Sequence, residues 1–327
     1  MHDFIKNNPK YHYSRLNTEE KAVYSAILRA LLKYQPEVKI PRIESETASK
    51  IYNAITQDNP LIYYAPWFKW TAFDATHYIL KPDYIYEKSL VKSWNRDILG
   101  YLSDFDKLKA QDDYTKELAI HQHILANFSY DWDFGKNTYS ILGLILYNTA
   151  VCEGIAKFAK LACDYVGLKS LVVTGKASNP ASGQMEGHAW NIIAIDGKPY
   201  HADFTFDMCL TKSVHRYDYF NLTDADIETD HIIEGNAPQC TAVECNYFVA
   251  NSLFLHNANE FRAFMRKQVR AGNNRVLFKL SQNCRVAGIE QKIMKIVGEE
   301  FQRIRNVAFR MEVSSNLPQM VFEVSVL

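Results

Sequence analysis

Between two short runs that read as strands, His188–Ile195 and Tyr200–Phe206, stands the dipeptide Asp196-Gly197. Asp-Gly in that setting is among the strongest short-range signals for a two-residue β-hairpin, and a hairpin fixes register. With Asp196 and Gly197 as the turn, Ile195 pairs with Lys198. Extending the pairing outward sets Trp190 opposite Asp203 and His188 opposite Thr205. Paired residues share a sheet face, as do residues two apart along a strand. His188 and Asp203 are therefore expected as diagonal neighbours on one face, with Cβ atoms ~7–8 Å apart or less, close enough for an imidazole and a carboxylate to meet.

Upstream, the spacing predicts a helix over Cys152–Val166. Ile155, Phe158, Ala159, Ala162 and Val166 recur as a single apolar stripe, and Gly167 suits the position just past a helix end. Cys152 then opens the helix, where backbone N–H groups lack intrahelical partners and the dipole favours negative charge. A thiolate is the reactive form of cysteine, and that position stabilises it. The bland alternative is that Cys152 is a small buried apolar residue, as free cysteines usually are. Cys163 lies on the same helical face but some 16 Å further along at ~1.5 Å per residue, and reads as core.

At 327 residues the chain exceeds what one core usually holds, so two or three packed units are expected. The boundaries are drawn at 1–109 for an N-terminal mixed accessory domain, 110–235 for the core and 236–327 for a small C-terminal α+β domain. Helices are expected over Glu19–Lys33, Ser45–Thr56 and Ser89–Asn127, the last in two pieces. Strands are expected within Leu61–Ile85, broken by Pro66 and Pro82. The last third reads as strand Asn246–Leu255, helix Asn259–Arg270, strand Arg275–Leu280, helix Gly288–Ile304 and strands Val307–Val313 and Met320–Val326. Lys+Arg and Asp+Glu are both 37, a balance that argues against nucleic acid or an anionic membrane as the main partner. No apolar run reaches membrane-spanning length, and the polar start Met1–Asn8 has no signal-peptide core, so a cytoplasmic protein is expected. The six cysteines form no C-x-x-C pair, so neither a disulfide framework nor a structural zinc site is expected.

Three segments carry chemistry: Val151-Cys152-Glu153-Gly154, Gly187-His188-Ala189-Trp190-Asn191 and His201-Ala202-Asp203-Phe204-Thr205-Phe206-Asp207. His188 takes or shares the Cys152 proton, Asp203 fixes the ring's tautomer and supports its positive charge, and helix-start amides meet the developing oxyanion. His201 competes for the histidine role, but it shares a face and a strand with Asp203, so the two side chains point outward in parallel, and His188 is preferred. Trp190, two residues after His188, is a candidate substrate-binding residue, with a plain core aromatic as the alternative. His121 and His123 face apart on a helix, so a shared metal is not expected. Asp131–Gly135 is a polar turn, lacking the ligand pattern of a calcium loop. No metal and no cofactor are expected.

These residues resemble the transglutaminase-like family, in which a Val-Cys-x-Gly segment opens a helix, a His-Ala-Trp-Asn strand brings the histidine and a His-x-Asp-x-Thr-x-Asp segment brings the aspartate. Cys152, His188 and Asp203 match in that order. Similarity extends to Ile120-His121 through Tyr130-Asp131 and to Tyr219–Asp224, covering about residues 110–235 and resembling bacterial members. Ile155 stands where the family often has an aromatic, and Phe206 where it often has Trp. The resemblance implies an α+β, papain/transglutaminase-like core, a helix bearing the cysteine packed on an antiparallel sheet. It implies a Cys-His-Asp triad performing acyl transfer through a thioester on a protein or peptide substrate. Hydrolysis (protease or amidase) is favoured over amine transfer; a peptide-binding scaffold that keeps the fold without turnover is the competing class. Substrate identity and oligomeric state are left open by the sequence.

Overall fold

The computed structural model describes residues 10–179, 183–211, 215–305 and 309–326. The polar start Met1–Asn8 and the first residues of the strand expected over 307–313 lie outside them. The first third supplies helices α1 (Thr18–Lys33), α2 (Ser45–Asp58) and α3 (Lys88–Leu102), with a small sheet of β1 (Val38–Pro41), β2 (Trp67–Ala72) and β3 (His77–Asp83) in the order β1-β3-β2. Asn17 starts α1 with a capping box to Glu20, two orphan donors satisfied reciprocally. Pro82 falls inside β3 instead of breaking it, beyond the residues that β1 pairs.

The central part begins with α4 (Asp113–Asn127), then β4 (Ser129–Tyr130), α5 (Ile141–Tyr147), β5 (Thr149–Ala150) and α6 (Cys152–Val166). Strands β6 (Lys169–Ser178), β7 (Met185–Ile195), β8 (Lys198–Ala202), β9 (Phe220–Leu222) and β10 (His231–Ile233) form one antiparallel sheet, order β10-β6-β7-β8-β9. Helix α6 packs on β6 and β7. It ends as expected at Gly167, whose φ of 85° is the left-handed conformation glycine tolerates best. Burial covers more than the expected stripe, because residues of the first third join α6 in one hydrophobic cluster that runs from Leu16 to Met208. Lys160 is thereby buried too, and donates to Asp164 at 2.9 and 3.1 Å and to the Ser170 carbonyl at 3.1 Å.

The hairpin forms as read. Asp196 (φ 51°) and Gly197 (φ 80°) are both left-handed, and Ile195 pairs with Lys198 through to Asn191 with Ala202. There the reading fails: β8 stops at Ala202, and Phe204–Leu210 is a helix (α7), so His188 and Thr205 are not strand partners. Asp203 is the reason. Its Oδ1 accepts from the Thr205 and Phe206 amides at 2.9 and 3.1 Å, the N-cap geometry that turns a strand end into a helix start.

The C-terminal part has its own core around Phe278 and Phe322. Helices α8 (Ala258–Ala271) and α9 (Ile289–Arg305) accompany a sheet of β11 (Phe254–Leu255), β12 (Arg275–Leu280), β14 (Val321–Val326) and β13 (Met311–Asn316), in that order. The strand expected over Asn246–Leu255 begins instead with a helical turn, Tyr247–Ala250, capped by Asn246, and only its last two residues pair. The architecture is mixed helices and mainly antiparallel sheets, with β4–β5 and β11–β12 paired parallel, and belongs to the α+β class expected. No helix among the described residues is long and apolar enough to cross a membrane.

Candidate active site

Cys152 is the first residue of α6. Its N-cap, Val151, brings no capping side chain, so no side chain competes for the first-turn amides. The lead-in is fixed from two directions: the Asp131 amide donates to the Ala150 carbonyl at 3.0 Å, and the Val151 amide donates to the Thr138 carbonyl at 3.1 Å. Gly154 explains the Cys-x-Gly spacing. A Cβ there would lie 2.5 Å from the Thr138 carbonyl oxygen and 2.8 Å from the Ala150 Cβ, so only glycine lets the loop pass this close.

His188, on β7, donates from Nε2 to Asp203 Oδ2 at 2.6 Å. That leaves Nδ1 for the Cys152 sulfur, with which the ring shares a hydrogen bond. Burial disfavours a charged ring here, but the Asp203 carboxylate and Cys152 outweigh it and raise the His188 pKa to about 10. Asp203, itself fully buried, is pushed up by desolvation and pulled further down by His188 and His231, ending below the ordinary carboxylate range. The three residues singled out in the sequence are thus contiguous, through an N-cap in place of the expected strand diagonal.

Trp190 is buried. Its ring stacks near the His188 ring, centroids 5.9 Å apart at 17°, and its Nε1–H donates to His201 Nδ1 at 3.0 Å. His201 therefore carries its proton on Nε2, which donates to Asp224 Oδ1 at 2.9 Å. It faces Trp190 and Asp224, and its hydrogen-bonding capacity is spent there. Phe206 sets its ring edge-on to His188 at 5.0 Å, so this departure from the family pattern sits directly on the histidine. The last aspartate of the segment, Asp207, is structural: it accepts from His121 Nε2 at 2.9 Å and from the Tyr219 amide at 3.0 Å. Cys163 is wholly buried core, with a thiol that burial pushes far up.

Sequence reasoning missed His231. Its Nε2 donates to the same Asp203 Oδ2 at 3.0 Å, and its Nδ1 donates to Asp230 Oδ1 at 2.6 Å. It lies on the three-residue strand β10, which joins the sheet beside β6. Gly175 makes that approach possible, since a Cβ there would stand 2.1 Å from the Ile232 carbonyl oxygen. The adjacent pair Asp230-His231 was the one available signal.

Also missed was a loop of exposed aromatics. Trp132, Phe134 and Tyr139 are each more than half exposed. Their loop is tied at both ends to Ala150 and Val151, next to Cys152, and the Tyr130 hydroxyl interacts electrostatically with Cys152 and Tyr139. Asp131 braces the turn by accepting from the Asp133 and Gly135 amides at 3.1 and 2.9 Å, the polar turn expected.

Among the described residues, two clusters bring ligand-type atoms together: His188, Asp203 and His231, and His201, Asp224 and Cys240. In the first, nitrogen and oxygen stand 2.6 and 3.0 Å apart along shared protons. Ligands ~2.0–2.1 Å from a tetrahedral metal must spread wider than that. In the second, the Trp190 N–H occupies His201 Nδ1, so coordination through Nε2 would require an anionic ring. Both are hydrogen-bonded clusters.

No curated protein matches the chain. Among solved structures, a crystal structure of a TGase is similar at 15% identity and TM-score 0.32, over 54% of this chain and 53% of that one. A Cytophaga hutchinsonii protein provisionally described as a cysteine protease is similar at 16% identity and TM-score 0.26, over 42% of this chain and 61% of that one. The chain thus spans under two thirds of either. Residues 105–204, which include Cys152, His188 and Asp203 but not His231, match the model of the transglutaminase-like superfamily.

Proposed function

We propose that this protein is a cysteine-dependent acyl-transfer enzyme acting on a peptide or amide bond, with water as the usual acceptor. The observation that supports this best is the continuous line from the Cys152 sulfur through His188 to the Asp203 carboxylate, at the start of a helix.

The chemistry follows from proton positions. Cys152 Sγ attacks the substrate carbonyl carbon, and its proton resides on His188 Nδ1. Charge develops on the carbonyl oxygen, where first-turn amides of α6 can donate. As the C–N bond breaks, His188 passes that proton to the departing amine nitrogen, leaving a thioester on Cys152. Water then attacks the thioester carbon while His188 Nδ1 takes its proton. The C–S bond then breaks, Cys152 leaves as the thiolate and the carboxylic acid is released, so the site returns to its first state with the proton on His188 Nδ1. Asp203 holds Nε2–H throughout, which keeps Nδ1 toward the sulfur. Trp190 stacks at the back of the His188 ring and would act on the substrate only by positioning that ring. The exposed Trp132, Phe134 and Tyr139 suit an apolar side chain beside the scissile bond.

The test is a paired assay on a peptide library, one arm following cleavage and the other incorporation of a fluorescent primary amine, with Cys152→Ala as control. Cleavage lost in Cys152→Ala supports the proposal. Amine incorporation without cleavage changes the acceptor from water to amine. Neither reaction, with peptides still binding, favours the scaffold.

A further inference from the structure

We propose that His231 is a fixed cation that tempers the hold of Asp203 on His188, making it a positioning residue for the proton transfers of that ring. This rests on the reading of Cys152 as nucleophile and His188 as proton carrier.

Geometry fixes the charge of His231. Both ring nitrogens face carboxylate oxygens, Asp203 Oδ2 at 3.0 Å and Asp230 Oδ1 at 2.6 Å. An ionised carboxylate only accepts, so each nitrogen must carry a proton, and the ring is an imidazolium. Asp230 is anchored in turn by the Tyr219 hydroxyl, which donates to its Oδ2 at 2.5 Å. Burial acts against the charge, but hydrogen bonds to Asp203 and Asp230 outweigh it and raise the His231 pKa.

Every acceptor position of Asp203 is then used. Oδ1 takes two backbone amides, and Oδ2 takes two imidazole N–H groups. Two carboxylates and two imidazolium rings make a buried group of four with no net charge. Without the His231 charge, Asp203 would act on His188 alone and keep its ring protonated to still higher pH. A ring held that tightly is a poorer donor to a leaving amine. The rings of His188 and His231 are 5.5 Å apart, close enough for their charges to repel directly.

Among the described residues, the groups facing His231 are few. His188 and Trp190 come from β7, His201 from β8, Phe206 from α7, and Tyr219, Asp203 and Asp230 from the connecting segments; β6 offers only Ala177 opposite it. Burial and the His231 charge both lower the His201 pKa, and Trp190 holds that ring neutral. Among the described residues, the charge on His231 is therefore answered by Asp203 and Asp230.

The experiment follows the rate at which iodoacetate, an anion, alkylates Cys152 across pH in the full chain. In wild type the rate should fall at high pH as His188 loses its charge. In His231→Gln and in Asp230→Asn that fall should move up by about one pH unit, the scale of removing a neighbouring like charge. Asp230→Asn is nearly isosteric and keeps the His231 ring, so a purely structural role for the ring would leave its profile where wild type has it. In wild type, 15N NMR should show both His231 nitrogens protonated at pH 7.5. An unmoved fall in folded variants, or a neutral His231 ring, overturns the proposal while leaving the cysteine reading intact. A wild type whose Cys152 reacts slowly with no high-pH fall overturns both.

Discussion

At the scale of single residues, the site is a set of buried charges that stabilise one another, and this gives it a pH signature in stability. Asp203 ionises below its ordinary value of 3.8, so its contribution is present above that pH and is lost as pH falls through the depressed value. His188 ionises at about 10 instead of 6.5, so its contribution is full below 6.5 and is lost as pH rises toward 10. The two overlap fully only between about pH 4 and 6.5. Urea melts of wild type and His188→Gln should therefore differ most near pH 6 and much less near pH 10; an equal gap at both pH values would contradict the ion pair. Cys152, His188 and Asp203 were legible because each sits in a short segment whose neighbours have their own duties. Gly154 clears a backbone carbonyl, Trp190 backs the histidine, and Asp207 anchors the helix after the aspartate to His121. His231 was not legible, since its partner Asp203 is 28 residues away and β10 is too short for its alternation to register.

At the scale of elements, sequence periodicity located the cysteine helix and the hairpin register, and failed where a polar side chain overrode it. Tyr200–Phe206 alternates like a strand, yet the Asp203 carboxylate captures two amides ahead of it and converts the end into a helix. That conversion turns Oδ2 toward His188, so the error in secondary structure and the working geometry have one cause. The exposed aromatic loop escaped notice for a related reason: Phe134 adopts φ 51°, a conformation that composition gives no reason to expect of an aromatic. Close packing at the cysteine makes a sharp prediction. Gly154→Ala puts a methyl 2.5 Å from the rigid Thr138 carbonyl, so it should cost about 1–3 kcal/mol in chemical denaturation and slow Cys152 alkylation. Unchanged stability would mean that the loop yields freely.

At the scale of the whole molecule, the C-terminal part grips the segment that carries Asp230 and His231. Lys279 donates to Asp226 Oδ1 at 3.0 Å, and Gln319 donates to the Asp226 carbonyl at 3.0 Å and to Thr229 Oγ1 at 2.8 Å. Gln319 is wholly buried and Lys279 nearly so, which makes these contacts costly to break. Gln319→Ala should speed hydrogen exchange across residues 224–231 ahead of the rest of the sheet; uniform exchange would show that the clasp is not local. From the first third, the shared hydrophobic cluster presses α6 onto the sheet. The molecule as a whole thus holds one partly buried sulfur against an imidazole that a buried carboxylate keeps charged. Competitive labelling with iodoacetamide at pH 6, read out by peptide mass spectrometry, tests this most directly. Cys152 should be modified many times faster than the exposed Cys209, and that advantage should vanish in His188→Gln. Equal, slow modification of both cysteines in wild type would contradict the account.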